Sequence, residues 1–500
     1  MDPSTAFPVG QTSARLVLGL ALLAAGCAVG PDYRRPAAPP APAFKENPGW
    51  KTATPEDGLK RGPWWEVFQD PVLTELEIQV ETSNLTLAQA VANFEEARQI
   101  ARADRTGFLP TVDATGSAVR SHSPTGEIAP TTIGGIVGGR SLTQTLYSAE
   151  LQGTWVPDFW GKLSRQVESD VATAQSDAAL VASARLSTQG SLATDYIQLR
   201  VADDQIRLLE NAVEAYKRTL TITKNKYAVG VSARSDIITA QTQLDSTRAA
   251  LIGAGVQRAQ LEHAIAVLLG KAPSEFSVAR RPDLGISIPE LPPMLPSTLL
   301  ERRPDVSAAE RDAAAANARI GVQVAAYFPD LTLSGTGGFE GSPLRDLFTT
   351  PFRFWTLGGQ VSDALLDWGQ RHDEVLSAKA AYTASAANYK QTVLTAFQQV
   401  EDNLASLRIL RAESQVEQDA VNEAAQAAQI ALNEYNAGTA DFTTVATAEV
   451  TELTNRETAL GIRSSELTSS VALIQALGGG WSTADLPSPH AIVAHRSPSP

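Results

Sequence analysis

The sequence predicts a mainly α-helical chain with a β-barrel part, built as two tandem copies of one large unit. Three observations carry this. Tryptophan, tyrosine and glycine landmarks recur 208 positions apart. After the tryptophan in each copy comes a very long helical stretch, in which apolar residues step by about 3.5, the coiled-coil period. Four shorter segments alternate apolar and polar residues with period two, as strands crossing a membrane in a barrel do.

The chain opens with a short apolar run, "LVLGLALLAA" from Leu16 to Ala25, preceded by Arg15. A run of about ten residues is too short to span a bilayer as a mature helix. Its flanks mark residues 1–26 as a secretory signal, the competing reading being a buried strand or helix. Cys27 follows and is the only cysteine among 500 residues, so intramolecular disulfides and cysteine-rich metal sites are excluded. "AAGC" resembles a bacterial lipobox, with Ala24 where leucine is commoner. That resemblance implies a diacylglycerol thioether on Cys27 and acylation of its freed amine. Several acyl chains, palmitate among them, give the stable anchoring that one chain does not. Ala28 stands where an aspartate would favour inner-membrane retention. The rest of the segment 27–63 begins with a proline-rich extended spacer, "RRPAAPPAPAF".

The first copy of the unit occupies 64–270 and the second 297–480. Trp160 in "DFWGKL" matches Trp368 in "LDWGQR", and "YAVG" from Tyr227 matches "YNAG" from Tyr435. "LLG" ending at Gly270 matches "ALG" ending at Gly478. Upstream, Pro110 and Pro329 are 219 apart, so the first copy carries extra residues before its tryptophan. This spacing is a duplication of one large unit, not a short solenoid repeat.

Within each copy the signals keep one order. A helix comes first, over roughly 72–107 and 297–326, with "ERRPDV" at Glu301 opening the second. Two alternating segments follow: Val112 to Ala118 and Tyr147 to Trp155, then Leu331 to Phe339 and Trp355 to Val361. From Gly161 to Tyr227 there is no proline and one interior glycine, Gly190. The frame Val167, Val171, Ala174, Ala178, Val181, Arg185, Thr188, Leu192, Tyr196, Leu199 resumes at Ile206, Leu209, Val213, Tyr216, Leu220. At 1.5 Å per residue such a helix is about 100 Å long. The glycine turns "AVGVSARSD" and "NAGTADFTT" reverse the chain into further helices. A proline-rich linker, 271–296, separates the copies, and the tail 481–500 is expected to be disordered.

Composition narrows the function classes. The chain is 43% hydrophobic but 6% aromatic, which suits long helices with small side chains. A net charge of −14 argues against nucleic acid, because no basic stripe can replace phosphate counterions. The five histidines (122, 263, 372, 490, 495) lack metal-ligand spacing. "LLGKAPS" lacks the upstream glycine of a phosphate loop, and the glycines of "GTGGFEG" fit close packing in a strand. No GxSxG or HExxH occurs, so no catalytic, metal or cofactor site is expected and the chain does not read as an enzyme.

Four strands cannot close a barrel, and open edges cannot sit in hydrocarbon. Several protomers must therefore pool strands, with the long helices continuing into an aqueous space. This arrangement, with "CAVGPDYRRP", "ERRPDV", the two "WG" pairs and the two "YxxG" reversals, resembles the outer-membrane efflux proteins of the TolC/OprM type, especially the NodT-like lipoprotein branch. The resemblance runs from Cys27 to Gly480. It implies a lipid-anchored homotrimer in the outer membrane of a Gram-negative bacterium, with twelve pooled strands and a periplasmic α-helical barrel. Its implied partners are a periplasmic adaptor and an inner-membrane pump of the resistance-nodulation-division class. The implied function is passive export of small toxic molecules, drugs among them.

The same resemblance assigns the helix reversals. Gly230 and Gly438 fall in the turns that meet the adaptor, and Tyr435 and Asp236 match positions that close the tip. Ala440, Thr444 and Thr447 replace an arginine and two aspartates of a well-known branch, so no aspartate ring is implied there. Asp236 and Asp441 are the nearest anionic gate candidates; the other reading is that both only cap helix starts. Two further functions stay open: the outer-membrane component of a type I protein secretion system, and a lipid-anchored coiled-coil scaffold with no pore and no membrane strands.

Overall fold

The computed structural model describes residues 28–39, 44–46, 63–123, 142–281, 285–288 and 302–494. The signal segment 1–26 and Cys27 lie outside the described residues.

The first unit runs α1 (Pro71–Ser83), α2 (Leu85–Thr106), β1 (Thr111–Ser123), β2 (Leu142–Trp155), α3 (Lys162–Ala228) and α4 (Arg234–Leu268). The second runs α5 (Pro304–Ala325), β3 (Asp330–Gly341), β4 (Arg353–Ser362), α6 (Gln370–Ala437) and α7 (Phe442–Ala476), and α8 (Pro489–Val493) follows. The corresponding helices nearly match in length: α2 and α5 have 22 residues each, α3 and α6 have 67 and 68, and α4 and α7 have 35 each. Each long helix starts on a left-handed glycine, Gly161 at φ 76° or Gly369 at φ 93°, a conformation cheap only without a Cβ. Asp158 then caps α3, its carboxylate accepting from the Leu163 and Ser164 amides at 3.0 and 2.8 Å.

The coiled-coil frame of α3 supplies its buried stripe from Val171 to Leu220, except that Ala178 and Val181 are half-buried and the half-exposed guanidinium of Arg185 pairs with Glu81 at 3.5 Å. The main core lies midway along the long helices. There Trp64, Phe68 and Leu73 pack with Leu192, Tyr196, Tyr389, Val393, Leu467 and Ile474. The linker is bound across this level. Arg281 pairs with Asp70 at 2.7 Å, and the buried Arg200 and the adjacent Arg258 donate to the carbonyls of Ala279 and Val278. Buried Asp203 pairs with both of these arginines, at 3.0 and 2.7 Å, and Glu262 supplies the second negative charge to Arg258 at 3.3 Å. Charges this deep are tolerated because every one is paired.

Two expectations are corrected. The first helix is not continuous over 72–107: it breaks at Asn84, whose backbone is extended. The Asn84 amide side chain accepts from Leu87 N at 2.9 Å and donates to the Leu268 carbonyl at 2.8 Å. Asparagine is among the best N-caps, and the second bond ties the break to the end of α4. The tail is not disordered up to Ala494. Ile492 on α8 is 1% exposed and packs with Ala97, Ala101, Val171 and Ala174. Arg102 and Arg105 on α2 donate to the carbonyls of Ile492, Val493 and Ala494.

Over the described residues 28–39 the spacer has no helix or strand, yet it is docked on the helices. Val29 N donates to the Trp160 carbonyl at 3.1 Å, and Asp32 pairs with Arg165 at 2.8 Å. Tyr33 donates to Glu310 at 2.6 Å, and Arg35 to the Tyr389 hydroxyl at 3.1 Å. A Cβ on Gly30 would lie 2.4 Å from the Gly321 Cα, so backbone meets backbone there.

Candidate functional site

The four strands form one antiparallel sheet in the order β1-β2-β3-β4. Pairing fixes which side chains share a face. One face carries the rows Val112–Gly153–Gly335–Leu357 and Ala114–Leu151–Gly337–Trp355, with Leu331 opposite Val361. The other carries Asp113–Gln152–Thr336–Thr356, with Glu150 beside Thr115 and Ser148 beside Ser117 and Glu340. Hydrogen bonds link this polar face across strands: Thr115 to Glu150 at 3.1 Å and Ser117 to Ser148 at 2.9 Å.

Among the described residues nothing covers the apolar face. Leu151, Trp355 and Leu357 are 58%, 70% and 76% exposed. In water such a patch is a liability; in hydrocarbon it is the outer wall of a barrel. Where strands pass into helices the aromatic residues gather. Trp160 stacks on Phe328 at 4.7 Å and donates to the Pro329 carbonyl at 2.9 Å, and Trp155 donates to the Phe108 carbonyl at 3.0 Å. Trp368, 89% exposed, marks the other junction. Amphipathic rings at this level form the girdle expected at a membrane interface. β1 and β4 each keep one unpaired edge. Among the described residues no helix is long and apolar enough to cross a membrane.

At the far end of the helices the two turns meet. Gly230 and Gly438 have φ of 76° and 80°, and a Cβ on either would find nothing within 4 Å. Tyr435 is 4% exposed; its ring meets Phe442 edge-on at 5.6 Å, and its hydroxyl lies 3.3 Å from Ser232 Oγ. Ser232 in turn donates to Asp236 at 2.7 Å, and the same carboxylate accepts from Ala233 N at 3.0 Å, capping α4. The structure thus joins Tyr435 to Asp236 through Ser232. Asp441, by contrast, is exposed at the start of α7 and makes no side-chain cap bond.

Sequence reasoning missed Lys226. Its ammonium lies 4.2 Å from the centre of the Tyr435 ring and donates to the Tyr435 and Asn436 carbonyls. A cation here satisfies carbonyls at the C-terminal end of α6. The available signal was the repeat itself, since Lys226 stands where the second copy has Glu434. Among the described residues no cluster of His, Cys, Asp or Glu is placed to hold a metal ion.

With this geometry in view, the chain can be compared with known proteins. The model of the family described as "Outer membrane efflux protein" matches residues 79–271 and 295–479. The chain belongs to the outer membrane efflux protein family. A toluene efflux pump outer membrane protein, TtgC of Pseudomonas putida, is 28% identical over 463 residues, covering 92% of this chain and 94% of that protein. Nodulation protein T of Rhizobium leguminosarum bv. trifolii is 30% identical over 400 residues, covering 77% of this chain and 80% of the relative. A solved structure of the outer-membrane channel OprN aligns with a TM-score of 0.82 at 29% identity, covering 91% of this chain and all of that one. Family membership places the chain in the outer membrane, as an efflux component. Of these, OprN is described as an outer-membrane channel.

Proposed function

We propose that three copies of the chain pool their strands into one twelve-stranded barrel, through which small toxic molecules leave passively from the helical conduit below. The observation that carries this is the sheet: one bare apolar face, one polar face with carboxylates, and two unpaired edges. Unpaired edges are not tolerated in hydrocarbon, so closure needs further copies. A dimer's eight strands would leave a lumen filled by side chains. A coiled-coil scaffold has no use for such strands. Relatives named for toluene and antibiotic efflux pumps support the substrate class. The partners proposed are a periplasmic adaptor at the turns of Gly230 and Gly438, and a proton-driven inner-membrane pump of the resistance-nodulation-division class. Lipidation of Cys27 is proposed on the lipobox-like "AAGC" that ends at it.

Antibiotic susceptibility in a strain lacking the chain tests the proposal. The wild-type gene is expected to restore resistance, while Gly230→Trp and Gly438→Trp abolish it with the protein still in the outer membrane. Either side chain would strain a turn at positive φ and would project into space that holds no atom of the described residues, where a partner docks in this reading. Full resistance in both variants refutes the tip assignment, and failure of the wild type to restore any resistance refutes efflux.

A further inference from the structure

Two copies of one unit meet inside this chain, and the way they meet shows how a unit joins its neighbour. Residues of β1 correspond to those of β3 at an offset of 219, the spacing of Pro110 and Pro329. Residues of β2 correspond to those of β4 at 208, the spacing of Trp160 and Trp368. The two hairpins obey both offsets. Thr111 faces Thr154 across β1–β2, and the offsets carry this pair onto Asp330 and Ser362, which face each other across β3–β4. Gly116 facing Ala149 becomes Gly335 facing Leu357, again an observed pair.

The junction from the first repeat to the second has two parts. Strand β2 pairs with β3, setting Gln152 opposite Thr336 and Thr154 opposite Ser334. Where those strands pass into helices, Trp160 stacks on Phe328 and its indole donates to the Pro329 carbonyl.

Duplication calls for a second junction, from the second repeat onward to a first repeat. The protomer holds both of its sides and joins neither. In the sheet, β4 pairs only with β3 and β1 only with β2. Trp368 is 89% exposed, against 39% for Trp160. Leu109, which stands where the second repeat has Phe328, is 67% exposed.

We propose that copies of this chain join one another as its two repeats do. The offsets carry Gln152–Thr336 onto Gln360–Ser117, and Thr154–Ser334 onto Ser362–Thr115. Strand β4 of one copy therefore pairs antiparallel with β1 of the next, with those residues opposite. Trp368 seats on the next copy's Leu109, and its indole donates to the next copy's Pro110 carbonyl. The proposal rests on the three-copy reading and adds the residues of the next copy that complete each edge. Its register also keeps the two faces of the sheet continuous: Val361 falls opposite Gly116 on the apolar face, and Gln360 opposite Ser117 on the polar one. A slip of one residue would mix the faces. A slip of two would keep them but carry Trp368 about 7 Å along the strand from Leu109.

Disulfide trapping tests the register in a Cys27→Ser background, where the introduced thiols are the only ones. The matched pairs are Thr115→Cys with Ser362→Cys, Ser117→Cys with Gln360→Cys, and Gly116→Cys with Val361→Cys; the last samples the alternate spacing of the ladder. Oxidised in native outer membranes, they are expected to give a covalent trimer. The mismatched pairs Thr115→Cys with Gln360→Cys and Ser117→Cys with Ser362→Cys are expected to give several-fold less. Their Cα atoms would lie about 7–8 Å apart, beyond disulfide reach. A trimer that forms best at mismatched pairs overturns the proposal and retains the three-copy reading; no covalent trimer at any β1–β4 pair overturns both. The Trp368 seat has its own readout. Trp368→Ala and Leu109→Ala are each expected to lower the temperature at which the detergent-solubilised trimer dissociates. Together they are expected to lower it by less than the sum, because both remove one shared contact. Fully additive losses, or none, overturn the seat.

Discussion

Glu77 sits on α1 with no solvent exposure, and neither carboxylate oxygen has a hydrogen-bond partner. Burial alone pushes its pKa up to about 9, so the group is neutral at physiological pH. The native state then holds a proton that the unfolded chain releases near 4.5. Its contribution to stability is fully present below about 4.5 and is lost as pH rises toward about 9. Glu77→Met removes the unpaired carboxyl at similar volume. At pH 8 it is expected to raise stability by about 1–3 kcal/mol. Thermal unfolding in detergent across pH 4–9 checks this: the wild-type midpoint falls relative to the variant's as pH rises, and parallel profiles would refute it. No pattern in the sequence marks Glu77, because one acid among helical polar residues reads as solvated. Its burial depends on which face of α1 meets α3, a fact of tertiary packing.

At the scale of elements the sequence was unusually legible. Duplication preserves element lengths, so Trp160 and Trp368, or Tyr227 and Tyr435, mark equivalent places in two copies. The strands showed because each contains a stretch, such as Val112 to Ala118, that alternates between a lipid-type face and a polar one. What escaped was long-range docking. The composition of "PSPHAIVAHRSPSP" reads as disorder, but one isoleucine and three carbonyls suffice once Arg102 and Arg105 are placed to receive them. Those arginines precede Ile492 by almost 400 residues of chain, beyond any local pattern. The spacer is similar: its contacts with Arg165, Glu310 and Tyr389 bind it before any lipid is considered. Cys27→Ser is therefore expected to abolish incorporation of labelled palmitate while leaving assembly largely intact. Label persisting in the variant would refute acylation at this residue.

As a whole molecule, the protomer is incomplete. Among the described residues its apolar sheet face is uncovered, and β1 and β4 end the sheet with no further strand beside them. Neighbouring strands lie about 4.8 Å apart, so β1 and β4 of one sheet are separated by about 14 Å, well beyond the ~7 Å that a disulfide can bridge between Cα atoms. A bond between cysteines on these two strands can form only between copies. Paired cysteine scanning along Thr111–Ser117 on β1 and Thr356–Ser362 on β4, followed by oxidation and denaturing electrophoresis, reads this closure directly. The account predicts, at pairs in register, a covalent species of three chains, each 53.0 kDa before processing, that collapses to one chain on reduction. A scan that yields monomer alone, or stops at dimer at every pair, would contradict a barrel closed by three copies.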